Sequence, residues 1–233
     1  MPVWNKGLTK ETHPSLKKTS VTMRTRRLDN FKSWRDEMKQ AGIIKSQYPP
    51  FKKNGDLAEL IGIVLGDGHI GTHERCESLR IVGDANKMGF VNRAANLIES
   101  VFGKRPNIAK RKNGNGVNIT LYEKGIAKRL GIPTGGRSYY RFVLPRWIAR
   151  NRKYTLRFLR GLYEAEGSLS HHAATYTHKF TFSNTNPHLL ALVAGLVRKL
   201  GFTVSVSKLQ AQVSRKDEVQ KLANLVHFRD YDS

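Results

Sequence analysis

Two short stretches of this chain repeat the same unusual helix. Leu57–Gly68 is an apolar helical run with Gly62 and Gly66 one turn apart on one face, and it ends in Asp67-Gly68. Leu159–Gly167 carries Gly161 and Ala165 one turn apart and ends in Glu166-Gly167. Glycine inside a helix costs roughly 1 kcal/mol relative to alanine, so a solvated helix has no use for it. It is useful where another backbone must come very close. The repeat therefore predicts two helices packed small face on small face through Gly62, Gly66, Gly161 and Ala165. That packing would bring Asp67 and Glu166 side by side.

The order of elements after residue 56 carries the duplication further. The first motif helix is followed by strand-like residues from His69 to Ile81, with a polar hairpin tip at Thr72 to Ser78. A helix is predicted over Ala85–Phe102 and stopped by Gly103, then strands Asn107–Arg111 and Val117–Leu121 around a strong turn signal, then a helix over Lys124–Leu130. After a connector at 134–154 rich in arginine, the series starts again. Strands are predicted within Leu169–Phe182, a helix over Pro187–Leu200, strands within Val204–Val213, and a last helix over Arg215–His227. The expected fold class is α+β: two pseudo-symmetric αββαββα halves packed through the motif helices, with mixed or antiparallel sheets. The expected segments are 1–50, a basic extension with a helix; 51–147, the first half; and 148–233, the second half.

Ahead of the duplication, residues 1–27 read as a basic, solvated arm that could track phosphates without carrying sequence information. An organellar leader is the competing reading. Trp4-Asn5-Lys6-Gly7 and Pro14 fit an amphipathic arginine helix poorly. Residues 28–41 read as a helix whose Leu28, Phe31, Trp34, Met38 and Ala41 are packing residues, closed by Gly42. Asp56 is the expected N-cap of the first motif helix.

Charge narrows the partner. A net charge of +23 on 233 residues, with pI near 10.4, points to a polyanion, and nucleic acid leads. A membrane surface would also attract such charge, but no apolar run approaches the ~20 residues needed to span a bilayer, and no membrane partner is expected. The single cysteine, Cys76, excludes an internal disulfide framework and a cysteine-rich zinc site. On a strand His69 and His73 share a face while Cys76 points the other way, so no zinc site is assigned. No Walker-type phosphate loop follows either glycine-rich stretch.

Paired acids at adjoining helix ends meet the needs of phosphodiester hydrolysis. Mg²⁺ takes oxygen ligands, keeps several waters and needs only one or two carboxylates when substrate phosphates supply the rest. Two acids held close also repel, which favours a cation between them. Strands flanking the helices would lie along the major groove with one face to the bases. Candidate DNA contacts are His73, Arg75, Glu77, Arg80, Lys110, Lys112 and Asn118 in the first half. In the second they are His172, Thr175, Tyr176, His178, Lys179, Lys208, Gln210 and Gln212.

The stretches Leu60–Gly68 and Leu159–Gly167 resemble the two motifs of LAGLIDADG homing endonucleases of the single-chain type. The resemblance runs from about Leu57 to the C-terminus and includes Arg137-Ser138 and Leu144–Ile148. Trp4–Thr12 also resembles small modular segments that accompany intron-encoded nucleases. The family resemblance implies a monomer that cuts a long, asymmetric double-stranded DNA target across the minor groove, leaves four-base 3′ overhangs and promotes intron or intein mobility. It implies a metal site at Asp67 and Glu166 with the preceding positions Gly66 and Ala165, using Mg²⁺ or Mn²⁺, with Ca²⁺ as a non-cleaving substitute. It implies assisting roles for Asp84 and Asn184 after the second strand of each half and for Arg137. Aspartate at 84 departs from the usual amide. The second half shows no evident basic counterpart beyond Lys208 or Lys216, so unequal cutting of the two strands is expected. The alternative is an RNA maturase or DNA-binding regulator that keeps the scaffold without cleavage, with intron RNA as partner. The expected setting is the cytoplasm or nucleoid of a prokaryotic or phage host, or an organelle matrix.

Overall fold

The computed structural model describes residues 6–29, 31–45, 47–112 and 114–231. Contacts divide it into two units, residues 1–48 and 49–233. Trp4-Asn5 and the start of the arm lie outside the described residues.

Within the first unit the arm is not a tail. Residues Pro14–Thr25 form helix α1, with Pro14 in its first turn. Proline is well suited to that position because its missing N–H would be unpaired there anyway, so Pro14 starts the helix and does not break it. Helix α2 spans Lys32–Gln40. The residues expected to pack, Leu28, Phe31 and Trp34, stay exposed, and no residue of either helix is buried.

In the second unit, helix α3 (Gly55–Gly66) runs directly into strand β1 (Gly68–Thr72), which pairs antiparallel with β2 (Glu77–Asp84). Helix α4 covers Met88–Phe102, starting later than expected because β2 continues to Asp84 and a turn follows it. Strands β3 (Asn107–Lys110) and β4 (Gly116–Glu123) complete a sheet in the order β1-β2-β4-β3. Short helices α5 (Ile126–Leu130) and α6 (Arg146–Ala149) lead to α7 (Arg152–Glu166). The second sheet has the same topology, order β5-β6-β8-β7, from β5 (Gly167–His172), β6 (Thr177–Ser183), β7 (Ser205–Val206) and β8 (Gln210–Val213). Helix α8 (Pro187–Lys199) lies between its hairpins and α9 (Lys216–Leu225) follows them. The fold is α+β with two related halves, and every described strand pair is antiparallel.

The core forms where the pattern requires it. Leu79 and Ile81 on β2, Ile119 and Leu121 on β4, and Phe90, Val91, Ala94 and Ile98 on α4 are buried together. Phe180, Phe182, Ala211 and Val213 do the same in the second half, where the Tyr163 ring of α7 stacks on Phe180 at 4.2 Å.

Between the halves, α3 and α7 lie in the closest contact. A Cβ on Gly62 would collide with the Phe158 carbonyl oxygen and lie 2.9 Å from the Leu162 nitrogen. A Cβ on Gly161 would collide with the Glu59 carbonyl oxygen and lie 2.9 Å from the Ile63 nitrogen. One turn on, a Cβ at Gly66 would lie 2.6 Å from Ala165 Cβ. The small residues are there because the two backbones leave no room for a side chain. Asn54, not Asp56, caps α3, its Oδ1 accepting the Leu57 N–H at 2.9 Å. Asp56 sits in the first turn, where it accepts from Ser100 Oγ at 2.7 Å and from Arg157 Nη2 at 2.6 Å.

Candidate active site

Both motif acids leave their helices at the same end. Asp67 is the C-cap of α3, and Glu166 is the last residue of α7. Gly68 and Gly167 follow because the chain must turn at once into a strand. A Cβ at either would run into the carbonyl of Val64 or Tyr163, one turn back. Burial, and then the neighbouring Glu166 charge, push the Asp67 carboxyl up to about 7. Burial raises Glu166 as well, opposed by a hydrogen bond that Asn184 Nδ2 donates to its Oε1 at 3.0 Å.

Two cavities flank the pair. The first, of about 300 Å³, is lined by Glu166, Asn184, His69 and Arg137. Arg137 donates to the Gly68 carbonyl, while its Nη1 is buried without a hydrogen-bond partner. Burial pulls its pKa below the ordinary arginine value. The connector that carries it is held by the second half: Asn186 Nδ2 donates to the Arg137 and Tyr140 carbonyls at 3.0 and 2.8 Å. A half-buried guanidinium with an unpaired N–H, in a cavity that Glu166 also lines, suits an incoming phosphate oxygen.

The second cavity, of about 380 Å³, is lined by Asp67, Asp84, Lys87, Glu164, Glu166 and Arg229 among others. Asp84 Oδ1 accepts the Asn86 N–H at 2.9 Å, as Asn184 Oδ1 accepts the Asn186 N–H at 2.9 Å. The same side-chain turn therefore closes both strands, but only the amide can donate to a motif acid.

Arg229 is the basic residue that sequence reasoning missed. Lys208 and Lys216 were expected as the late basic counterpart, but neither lines this cavity. Lys208 lies between β7 and β8, and Lys216 opens α9. Arg229 follows α9 much as Arg137 follows α5, which was the available signal. Glu164 fixes it: buried on α7, its Oε1 accepts the Arg229 N–H and its Oε2 accepts the Tyr231 hydroxyl, each at 2.5 Å.

Strand register sorts the candidate DNA contacts. Arg80 pairs with His69 and Thr120, so these share the face opposite the buried Leu79 and Ile81. Asn118, opposite Val82, is on that open face and accepts from Arg111 Nε at 3.1 Å. His73 contacts Ser78 Oγ at 3.0 Å, and Arg75 and Lys112 are exposed in loops. In the second sheet Lys179, Gln212, Gln210 and His172 share the open face, while Tyr176 and Lys208 are exposed in turns. Three assignments need correction. Glu77 faces the helices, and its Oε2 accepts the Ala127 N–H at 2.8 Å at the start of α5. Lys110 pairs with Val117 and so also lies on the helix side, exposed at the edge. His178 pairs with His171, off the open face, and their rings stack at 4.2 Å. The Thr175 side chain lies outside the described residues.

Residues 153–230 match the family described as the LAGLIDADG-like domain. This is a LAGLIDADG-fold protein. I-DmoI, a homing endonuclease whose structure is solved in complex with DNA and calcium, superposes with a TM-score of 0.52 at 16% identity, covering 74% of this chain and 88% of its own. The N-terminal LAGLIDADG domain of DUF199/WhiA superposes with a TM-score of 0.53 at 14% identity, covering 76% and 83%. A tRNA-splicing ligase RtcB from Methanopyrus kandleri is 27% identical over 135 residues, half of this chain but only 13% of that relative's length.

The donor set of the LAGLIDADG helices fits a hard divalent cation. Asp67, which keeps an exposed side, and the half-buried Glu166 are both raised in pKa and present charge that a cation neutralises, and oxygen donors suit Mg²⁺, Mn²⁺ or Ca²⁺. Among the described residues no group of three or more His, Cys, Asp or Glu side chains gathers as a metal site. A cation there would take its remaining ligands from water and substrate phosphate.

Proposed function

We propose that this protein is a monomeric, site-specific DNA endonuclease of the homing type, dependent on a divalent metal ion and serving the mobility of an intron or intein. The observation that carries the reading is the pair Asp67 and Glu166, held together by helices that admit no side chain between them and flanked by two cavities, one lined by the half-buried Arg137 and the other by the exposed Lys87 and Arg229. Similarity to I-DmoI, solved with DNA and with calcium or manganese, supports both the substrate and the metal.

Asp67 and Glu166 would hold the metal, which supplies activation of water and relief of charge on the leaving oxygen. The residues of the chain do the rest. Asn184 favours the charged form of Glu166 against the effect of burial and fixes its orientation by donating to it. Arg137 offers its unpaired Nη1 to a phosphate oxygen on the Glu166 side. Lys87 and Arg229 supply positive charge on the Asp67 side. The two open sheet faces, with Arg80 and Asn118 on one and Lys179, Gln210 and Gln212 on the other, would read base edges in the major groove.

The test is incubation of the purified protein with a plasmid carrying the joined sequences that flank its gene. Magnesium-dependent linearisation, abolished by EDTA, is expected. Tight binding with neither nicked nor linear product would overturn the reading and leave a DNA-binding protein.

A further inference from the structure

A third cavity, of about 720 Å³, lies at the opposite end of α7 from Glu166. Arg152 in its wall is fourteen positions before Glu166, about 21 Å along a helix. The cavity is strongly basic. Arg152, Lys153, Arg157 and Arg160 of α7 and Arg93 of α4 line it, against the single lining carboxylate of Asp56.

Some of this charge is already spent. Arg93 forks onto the fully buried Glu59 at 2.8 and 3.0 Å, and Arg157 bonds Glu59 at 2.5 Å and Asp56 at 2.6 Å. Arg160, 4% exposed, donates through Nη2 to the Asp230 carbonyl and is ion-paired with Glu59, its Nε 3.7 Å away and without a hydrogen bond. The charge of Arg152 and Lys153 is not spent. Arg152 and Lys153 occupy the first turn of α7, which holds no acid. Cations are disfavoured there because the helix dipole is positive at that end, and the same dipole favours a bound anion. Among the described residues no carboxylate pairs with either side chain.

The rest of the lining is apolar, Leu156 of α7 among the arginines and Leu225 and Val226 at the end of α9, followed by His227. Guanidinium groups match phosphate oxygens in geometry and charge, and a cavity of this size holds a small ligand. We propose that this cavity binds a phosphorylated ligand of nucleotide size. Its phosphates meet Arg152, Lys153 and Arg160, and its base lies against Leu156 and His227. The site is separate from the paired acids and does not rest on the proposed cleavage.

The probes are adenosine diphosphate, pyrophosphate and sulfate at matched ionic strength, followed by calorimetry and by thermal melting of the full chain. ADP should bind at least about tenfold more tightly than sulfate and raise the melting temperature. The double variant Arg152→Gln/Lys153→Gln, whose side chains are exposed and whose fold is checked by circular dichroism, should lose at least about tenfold in ADP affinity. Lys124→Gln/Lys128→Gln removes equal charge from exposed positions in the same unit that do not line the cavity and should leave ADP affinity unchanged. An equal loss in both double variants, or ADP no tighter than sulfate, overturns the proposal by showing attraction to net charge alone. Pyrophosphate binding as tightly as ADP overturns the nucleotide assignment. A short single-stranded oligonucleotide displacing ADP at lower concentration than unlabelled ADP would instead make the ligand a nucleic acid strand.

Discussion

The two sides of the paired acids are built on one plan and differ in one atom type. On the Glu166 side, Asn184 closes its strand with a side-chain turn and has an N–H left to give the acid. On the Asp67 side, Asp84 makes the same turn and has no N–H to give. The Asn184 hydrogen bond therefore opposes the upward shift that burial imposes on Glu166, while Asp67 has no such donor and is raised to about 7 by burial and then by the Glu166 charge. The basic groups differ too. Arg137 is buried on a connector pinned by Asn186, whereas Arg229 is placed by a C-terminal segment anchored on Glu164. Backbone symmetry thus does not imply chemical symmetry, and each strand of a duplex would meet a different environment.

The largest effect should come from removing both sides together. Gly62→Leu must push α3 from α7 at the Phe158 carbonyl and separate the acids. A displacement of ~1 Å costs about 100-fold in rate, so cleavage should fall at least that far on both strands, with binding of DNA retained. Strand-resolved gels check it, and normal cutting would show that the close approach is unnecessary.

Next comes the donor. Asn184→Leu removes a hydrogen bond to a charged group, worth about 1.5–3 kcal/mol, and should slow one strand roughly 10- to 100-fold more than the other. Asp84→Asn is the converse. It supplies the missing N–H and should reduce the inequality between strands several-fold, read as less nicked intermediate in a plasmid time course.

The smallest effect concerns stability without metal. Because the folded Asp67 pKa lies above its ordinary value of 3.8, its contribution favours folding below about pH 4 and is lost as pH rises through about 7. The raised Glu166 has the same sign. Metal-free protein at pH 8 should therefore gain from Asp67→Asn. The gain is on the order of 1 kcal/mol, discounted because Asp67 keeps an exposed side. Denaturant melts at pH 4, pH 5.5 and pH 8 in EDTA measure it, and the gain should shrink as pH falls below about 7 and approach zero near pH 4.

Much of this was legible in the sequence because it is local. Helical spacing of Gly62, Gly66, Gly161 and Ala165, each run ending in acid-Gly, led to the interface and the acid pair, and the order of strands and helices followed from turn signals. What was missed depends on partners distant in sequence. Glu77 and His178 were placed on the wrong face because face is set by register, where one residue inverts the assignment. Arg229 was missed, although it follows α9 as Arg137 follows α5, because its position is set by a carboxylate 65 residues earlier. Asn54 and Asp56 are both good caps, and the bonds that Asp56 makes to Ser100 and Arg157, both distant in sequence, separate them.

The most direct test of the paired acids is to compare Asp67→Asn and Glu166→Gln with the wild type. Binding to a flank-joined duplex is measured in Ca²⁺ and cleavage in Mg²⁺. The account predicts that both variants bind within a few-fold of wild type and that neither makes double-strand breaks. Double-strand cutting by either variant at a rate near wild type would contradict it.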